Sequence, residues 1–216
     1  MPVIVDVQIK RGVAAVSIDS DDPVILPLET VVLHRLRTGT HLPREQWSEA
    51  LSEGRRLLAV RKALDLLSRR QRTERELTTG LAKAFQPDEV QHAVERMRSL
   101  GYLDDRAWAK NYVSGPRSTG RGRALLKREL GLKGVADAVA ASAVAEHDDR
   151  TEAHAAASKR ARSLRSVEEP KRSRRLYDFL RRRGFSDTVA REAMSAALAE
   201  ADSTAAALVE DARIEA

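Results

Sequence analysis

The sequence predicts a mainly α-helical protein, a tandem array of three three-helix (helix-turn-helix-like) repeats behind a small N-terminal β-hairpin and helix segment. Three observations carry this reading. Short β-type runs are confined to the first 26 residues. From Leu28 onward apolar residues recur at helical intervals, as in Val31, Val32 and Leu36, then Trp47, Leu51, Leu57 and Leu58. One pattern then returns three times: Leu81, Leu130 and Leu180 are each followed nine residues later by Val90, Val139 and Val189, with Phe85, Val135 and Phe185 spaced by 50 between them. A period of about 45 to 50 residues is typical of helical arrays.

VIVDVQI (3–9) and VAAVSI (13–18) flank Lys10-Arg11-Gly12 and read as a hairpin whose glycine supplies the turn conformation. A third short run, VIL at 24–26, lies between Pro23 and Pro27. The hairpin and following helix make up residues 1–54. Three-helix repeats are expected at 55–105, 106–149 and 150–200, and an acidic, frayed tail at 201–216. The repeats share one segment, GLAKAFQPDEV, ELGLKGVADAV or FLRRRGFSDTV. It reads as helix end, turn, apolar plug, an Asp near the next helix start (Asp88, Asp137, Asp187) and an apolar residue in the first turn. Gly134 and Gly184 sit where a left-handed helix stop costs least, and the first copy has Ala84 there. Thr73-x-x-Glu76 and Ser166-x-x-Glu169, the latter with Pro170 in the first turn, read as capping boxes.

Composition narrows the function classes. Without cysteine there are no disulfides, thiol nucleophiles or cysteine-ligated metal sites. No run approaches the roughly 20 apolar residues of a membrane span, so a soluble cytoplasmic monomer with no membrane partner is expected. Aromatic residues make up 4% of the chain, too few for a base-stacking platform. Charge is uneven within a net +6: residues 1–54 hold five Lys/Arg against eight Asp/Glu, whereas 117–133 hold six against Glu129 alone. Residues 159–183 hold eleven against Glu168, Glu169 and Asp178. A polyanion or an acidic protein surface is the partner such segments suit.

GYLDDRAWAKNYV (101–113) raises the question of catalysis, since Asp104 and Asp105 are adjacent carboxylates. Asp148-Asp149 recurs 44 residues later, again before a helix start. Carboxylates there accept orphan N–H groups and favour the positive end of the helix dipole. Both pairs therefore read as joints, with no catalytic residues and no metal site. Glu146-His147-Asp148-Asp149 with His154 has metal-like composition but reads as a solvated helix junction. Gly120-x-Gly122 lacks the spacing of a phosphate-binding loop for ATP, and no cofactor is expected. The loop SGPRSTGRGR (114–123) reads as mobile and basic. Trp108, Tyr112 and Tyr102 read as core packing of the second repeat.

ALDLLSRRQRTERELTTGL, RMRSLGYLDDRAWAKNYV, RGRALLKRELGLKGV and FLRRRGFSDTVAREAM together resemble the RecX family, regulators of the RecA recombinase. The resemblance covers about 61–198. It rests most on GYLDD-x-x-[W/F]-A-x-x-YV, with Gly101, Tyr102, Leu103, Asp104, Asp105, Gly184 and Phe185 as structural motif positions. It implies a non-enzymatic modulator that binds the RecA filament on DNA, lies in its groove, and suppresses strand exchange, ATP hydrolysis and co-protease activity. DNA repair, homologous recombination and the SOS response are the implied setting.

The residues themselves supply basic helix faces. Around a helix at 121–130, Gly122, Leu125, Leu126 and Leu130 share one side and Arg121, Arg123, Lys127 and Arg128 the other. In the third repeat Ser173, Leu176, Tyr177 and Leu180 form the buried stripe, and Lys171, Arg174, Arg175, Arg181 and Arg182 the exposed arc. Like charges four residues apart repel by a few tenths of a kcal/mol each, so arcs of one sign suggest an anion-binding face. With Arg117 of the loop, these cations are the expected contacts to the recombinase filament and to single- or double-stranded DNA through phosphates. Two other classes compete: an autonomous helix-turn-helix DNA-binding protein, and a nuclease using Asp104 and Asp105.

Overall fold

The computed structural model describes residues 3–19 and 22–214, with side chains as far as 204. The chain divides into two compact units, Met1–Asp104 and Asp105–Ala216. In the first, β1 (Ile4–Lys10), β2 (Val13–Ile18) and β3 (Val24–Pro27) form one antiparallel sheet in the order β1-β2-β3. The hairpin thus gains a third strand, because VIL pairs along β2 from Val13↔Pro27 to Val16↔Val24. The tight turn uses two left-handed residues, Arg11 (φ 51°) and Gly12 (φ 79°), where glycine alone was expected to suffice. Positive φ at both central positions matches the right-handed twist of the strands it joins.

Two helices cover this sheet, α1 (Leu28–Leu33) and α2 (Arg44–Arg69). Ile4, Ala14, Val16 and Leu26 are fully buried with Ala50 of α2. Gly54 lets α2 lie close to β3, since a Cβ there would stand 2.6 Å from Leu26 Cδ2. The border expected at 54 and 55 falls in mid-helix. Ala50 belongs to the N-terminal core, while Ala59 and Ala63 of the same α2 enter the next one. That second core is closed by α3 (Glu74–Leu81) and α4 (Pro87–Ser99), which bury Leu77, Leu81, Ala93 and Met97. Thr73 caps α3 by accepting the Glu76 N–H at 3.2 Å.

The second unit holds two further three-helix bundles in sequence: α5 (Asp105–Ser114), α6 (Arg123–Leu132) and α7 (Asp137–Val144), then α8 (Asp149–Arg162), α9 (Lys171–Arg182) and α10 (Asp187–Ile214). Each has its own core, around Leu126 and Leu130 in one and around Leu176, Leu180 and Phe185 in the other. The repeat pattern has a geometric cause. Gly134 and Gly184 sit at φ 88° and 87°, and the following plug N–H returns to the helix, Val135 to the Leu130 carbonyl (3.1 Å) and Phe185 to that of Leu180 (3.4 Å). This is the glycine-terminated helix stop. Ala84 makes a different closure, with Phe85 N–H on the Leu81 carbonyl at 3.1 Å.

Three expectations change. α9 begins at Lys171 with Pro170 as its N-cap. The Ser166 box does not form; Glu169 instead takes Ser173 Oγ at 2.7 Å and its N–H at 3.3 Å. Tyr102 is 59% exposed and no part of a core, because Gly101 (φ 75°) turns the chain and sends Leu103 inward in its place. The expected tail starts within α10, whose backbone continues to Ile214; residues 215 and 216, and side chains past 204, lie outside the described residues.

Candidate polyanion-binding face

Burial of Leu176 and Leu180, with Tyr177 and Phe179 packed partly buried beside them, fixes the rotation of α9 and leaves one arc exposed. Lys171, Arg174, Arg175 and Arg182 lie on the exposed arc with no ion-pair partner among the described residues, and Asp178 is the one acid between them. Two other α9 cations are used within the fold. Arg181 Nη1 donates to the Phe185 carbonyl at 2.6 Å and secures the helix end. Arg172, whose side chain is 14% exposed, bridges Glu169 (2.8 Å) and Asp202 (2.9 Å). Those hydrogen bonds, Glu169 first, raise the Arg172 pKa, and Arg172 in turn lowers that of Glu169.

The cations on and beside α6 divide differently. Arg121 meets Glu129 at 2.5 Å, and Tyr112 donates to the same carboxylate at 2.9 Å. Burial, then Glu129, pushes the Tyr112 phenol above its ordinary value. Lys127 pairs with Asp137 at 2.9 Å. Arg123 donates through Nε to the His147 carbonyl at 2.8 Å and through its backbone N–H to Asp149 at 2.9 Å. Arg128 and Arg117 are exposed and without an ion pair among the described residues, so of the ten cations expected to meet a partner six are unengaged: these two and Lys171, Arg174, Arg175 and Arg182. The free charge is thus concentrated on α9.

The loop before α6 is fastened to the third bundle, contrary to the mobile loop expected. Gly122 N–H donates to the Arg183 carbonyl (2.8 Å), Gly120 N–H to Glu152 (2.5 Å), and His147 Nε2 lies 2.8 Å from the Arg121 carbonyl. A Cβ on Gly122 would stand 2.4 Å from the Gly184 carbonyl oxygen, and one on Gly184 equally near Leu125 N. These glycines allow two bundles to touch backbone to backbone.

The paired aspartates sit at helix starts. Asp148 caps α8 by accepting Arg150 N–H (3.1 Å), Thr151 N–H (3.2 Å) and Thr151 Oγ1 (2.6 Å), and the Thr151 bonds hold its pKa below 3.8. Asp104 precedes α5 and Asp105 opens it. His154 faces Glu200 at 3.0 Å. Among the described residues no three His, Asp or Glu side chains are placed to hold a metal ion. Trp108 and Tyr112 stack on each other, 5.2 Å between centroids and 18° between planes.

Sequence reasoning missed Arg55 and Glu89. Glu89, nearly buried, receives Arg55 at 2.5 and 3.2 Å and the Gln86 N–H at 2.8 Å, completing the capping box of α4. The Gln86-x-x-Glu89 spacing carries a signal for the cap, but nothing in the sequence marks Arg55 as its partner. No helix among the described residues is long and apolar enough to cross a membrane.

Known proteins place this architecture. The first three-helix domain of RecX matches residues 59–97, and the third matches 148–194. The regulatory protein RecX of Pelodictyon phaeoclathratiforme is 34% identical over 129 residues, covering 59% of this chain and 81% of that protein. That of Mycobacterium avium is 37% identical over 143 residues, covering 63% and 82%. A crystal structure of regulatory protein RecX superposes with a TM-score of 0.66 at 23% identity, over 88% of this chain and 97% of the other. RecX from Lactobacillus salivarius gives 0.60 at 21%, over 66% and 96%; both likenesses concern the fold.

Proposed function

The chain belongs to the RecX family of regulatory proteins, and from that premise we propose that it binds the RecA filament on DNA and lowers its ATP hydrolysis, strand exchange and co-protease activity. The observation that supports this reading most is the arc of unpaired cations on α9, Lys171, Arg174, Arg175 and Arg182, set opposite Leu176 and Leu180. An internal ion-pair lattice would leave no such surplus, and guanidinium forks suit phosphate and carboxylate oxygens alike. In this reading the protein works as a non-enzymatic monomer in the cytoplasm, and Arg117 and Arg128 add to the α9 contact. Three helical bundles in one chain would engage neighbouring filament subunits together, giving inhibition below one copy per recombinase subunit.

The alternative is a self-sufficient helix-turn-helix DNA reader. Base readout needs a mixture of Asn, Gln, Ser and Arg at the start of a groove-entering helix, and KRSRRLYDFLRR offers mainly charge. Binding to bare DNA and to recombinase-coated DNA separates the two. Marked preference for the coated form, with ATPase inhibition at low stoichiometry, is expected. Equal affinity for both, without ATPase inhibition at equal amounts, would sink the filament reading.

A further inference from the structure

Three cations outside the faces described above converge on one concavity of about 480 Å3. Lys159 and Arg160 come from the last turn of α8, and Arg183 from the residue that ends α9. Phe179 and Gly120 also line it, and no carboxylate does. The Arg160 and Arg183 guanidinium carbons lie 5.7 and 5.1 Å from the Phe179 ring centroid. Among the described residues their only side-chain hydrogen bonds are long, to Ser163 Oγ and the Gly120 carbonyl, each at 3.3 Å. The carboxylate of Glu152 is committed to the Gly120 N–H.

Cations in a last helical turn complement the negative end of the helix dipole, and that accounts for Lys159 on α8 or Arg183 on α9 taken singly. It does not account for turning three of them into one hollow, two over a shared ring, where they repel one another. A ring face that holds two guanidinium groups fixes their orientation in advance and lowers the entropy cost of gripping a ligand. Two planar forks and an ammonium offer more donors than the two oxygens of a carboxylate accept, whereas a phosphate presents three strong acceptors. The hollow also lies within the roughly 300–1,000 Å3 of small-molecule sites, more room than a bare phosphate fills.

We propose that this hollow is a phosphomonoester site, taking the terminal phosphate of a free nucleotide or of a nucleic-acid strand between Lys159, Arg160 and Arg183. It is separate from the α9 arc. Its test uses no recombinase, so failure here leaves the filament reading standing.

The experiment is anisotropy of a short 3′-labelled, 5′-phosphorylated oligodeoxythymidylate with the full chain over a salt series. Lys159→Gln with Arg160→Gln changes two exposed side chains and leaves the loop contacts of Arg183 intact; Arg183→Gln is the second variant. Affinity should fall about tenfold for each cation removed, and the salt slope should become shallower by about 0.7 per lost contact on single strands. Phe179→Leu should give a smaller loss at unchanged net charge. Thymidine monophosphate displacing the strand from the wild type but not from the variants would mark a free nucleotide as the ligand. No displacement, with the variants still weakened, would mark the strand. Unchanged affinity and salt slope in both cation variants, folded by circular dichroism, would overturn the proposal, as would polyglutamate competing as well as the oligonucleotide.

Discussion

Replacing Lys171, Arg174, Arg175 and Arg182 together by Gln strips the α9 arc while leaving its internal contacts in place. All four are exposed, and none anchors the fold among the described residues. Arg172 and Arg181 are excluded because they hold Asp202 and the Phe185 carbonyl. Gln has nearly the helix propensity of Arg and Lys. The electrostatic effect on stability is close to balanced. The change relieves repulsion at 171/174, 171/175 and 172/175, but removes attraction of Asp178 for 174, 175 and 182, each about 0.2–0.5 kcal/mol. Stability should stay within about 0.5 kcal/mol of the wild type. Binding should respond far more. If each cation neutralises one phosphate on duplex DNA, the slope of log K against log salt becomes shallower by about 0.9 per contact, hence about 3 to 4 overall. Filament binding at several salt concentrations, with helicity checked by circular dichroism, reads this directly. A folded variant with the wild-type slope would show that the arc is merely solvated.

Four further outcomes are expected. Arg121→Gln should cost about 1 kcal/mol, because it breaks a partly exposed pair with Glu129, and should leave the salt slope of binding unchanged; a denaturant melt beside the binding series tests both. Gly122→Ala puts a Cβ 2.4 Å from the Gly184 carbonyl oxygen, and the overpacking should cost about 1–3 kcal/mol, measured as a lower unfolding midpoint; an unchanged midpoint would mean the two bundles part freely. Asp104→Asn with Asp105→Asn should leave filament inhibition largely intact, since Asn also caps helices; loss of inhibition in a folded protein would contradict the joint. Asp148, Asp187 and Glu169 have pKa values lowered from 3.8, 3.8 and 4.5, chiefly by hydrogen bonds from Thr151, Tyr177 and Arg172. Groups depressed by folding stabilise above their unfolded pKa and lose that contribution as pH falls through the folded one, so the denaturant midpoint should be flat down to about pH 5 and decline below it; Asp148→Asn should make the decline shallower.

The repeat was legible because its signals are local. Helical periodicity, a glycine stop and an apolar plug each lie within a few residues, and Leu130, Gly134 and Val135 form one hydrogen-bonded closure. The joint in α2 was not legible, because a helix can pass from one core to another without any break in its own pattern, and Gly54 reads as a weak point until β3 is seen beneath it. The state of each cation was hidden for a related reason. Arg121 finds Glu129 eight residues on, Lys127 finds Asp137 ten on, and Arg172 finds Asp202 thirty on. Charge counting gives the surplus in a segment, while tertiary structure decides which charges are consumed.

The repeat register explains why the surplus ends on α9. Shifted by 50 residues, Arg121, Lys127, Glu129 and Asp137 of the second bundle correspond to Lys171, Tyr177, Phe179 and Asp187 of the third. In the second bundle Glu129 holds Arg121, and Asp137 holds Lys127. In the third, Phe179 replaces the glutamate, so Lys171 has no counterpart carboxylate. Tyr177 replaces the lysine and donates a short hydrogen bond to Asp187, which also takes Arg191 at 2.9 Å. Asp187 is therefore occupied without neutralising the arc. Leu125 and Leu132 of α6 meanwhile correspond to Arg175 and Arg182 of α9. One scaffold thus disposes of its cations in two ways: where Glu129 and Asp137 take Arg121 and Lys127 the cations brace the bundle from within, and where Phe179 replaces the glutamate and Tyr177 takes up Asp187 the α9 cations are left without ion pairs among the described residues.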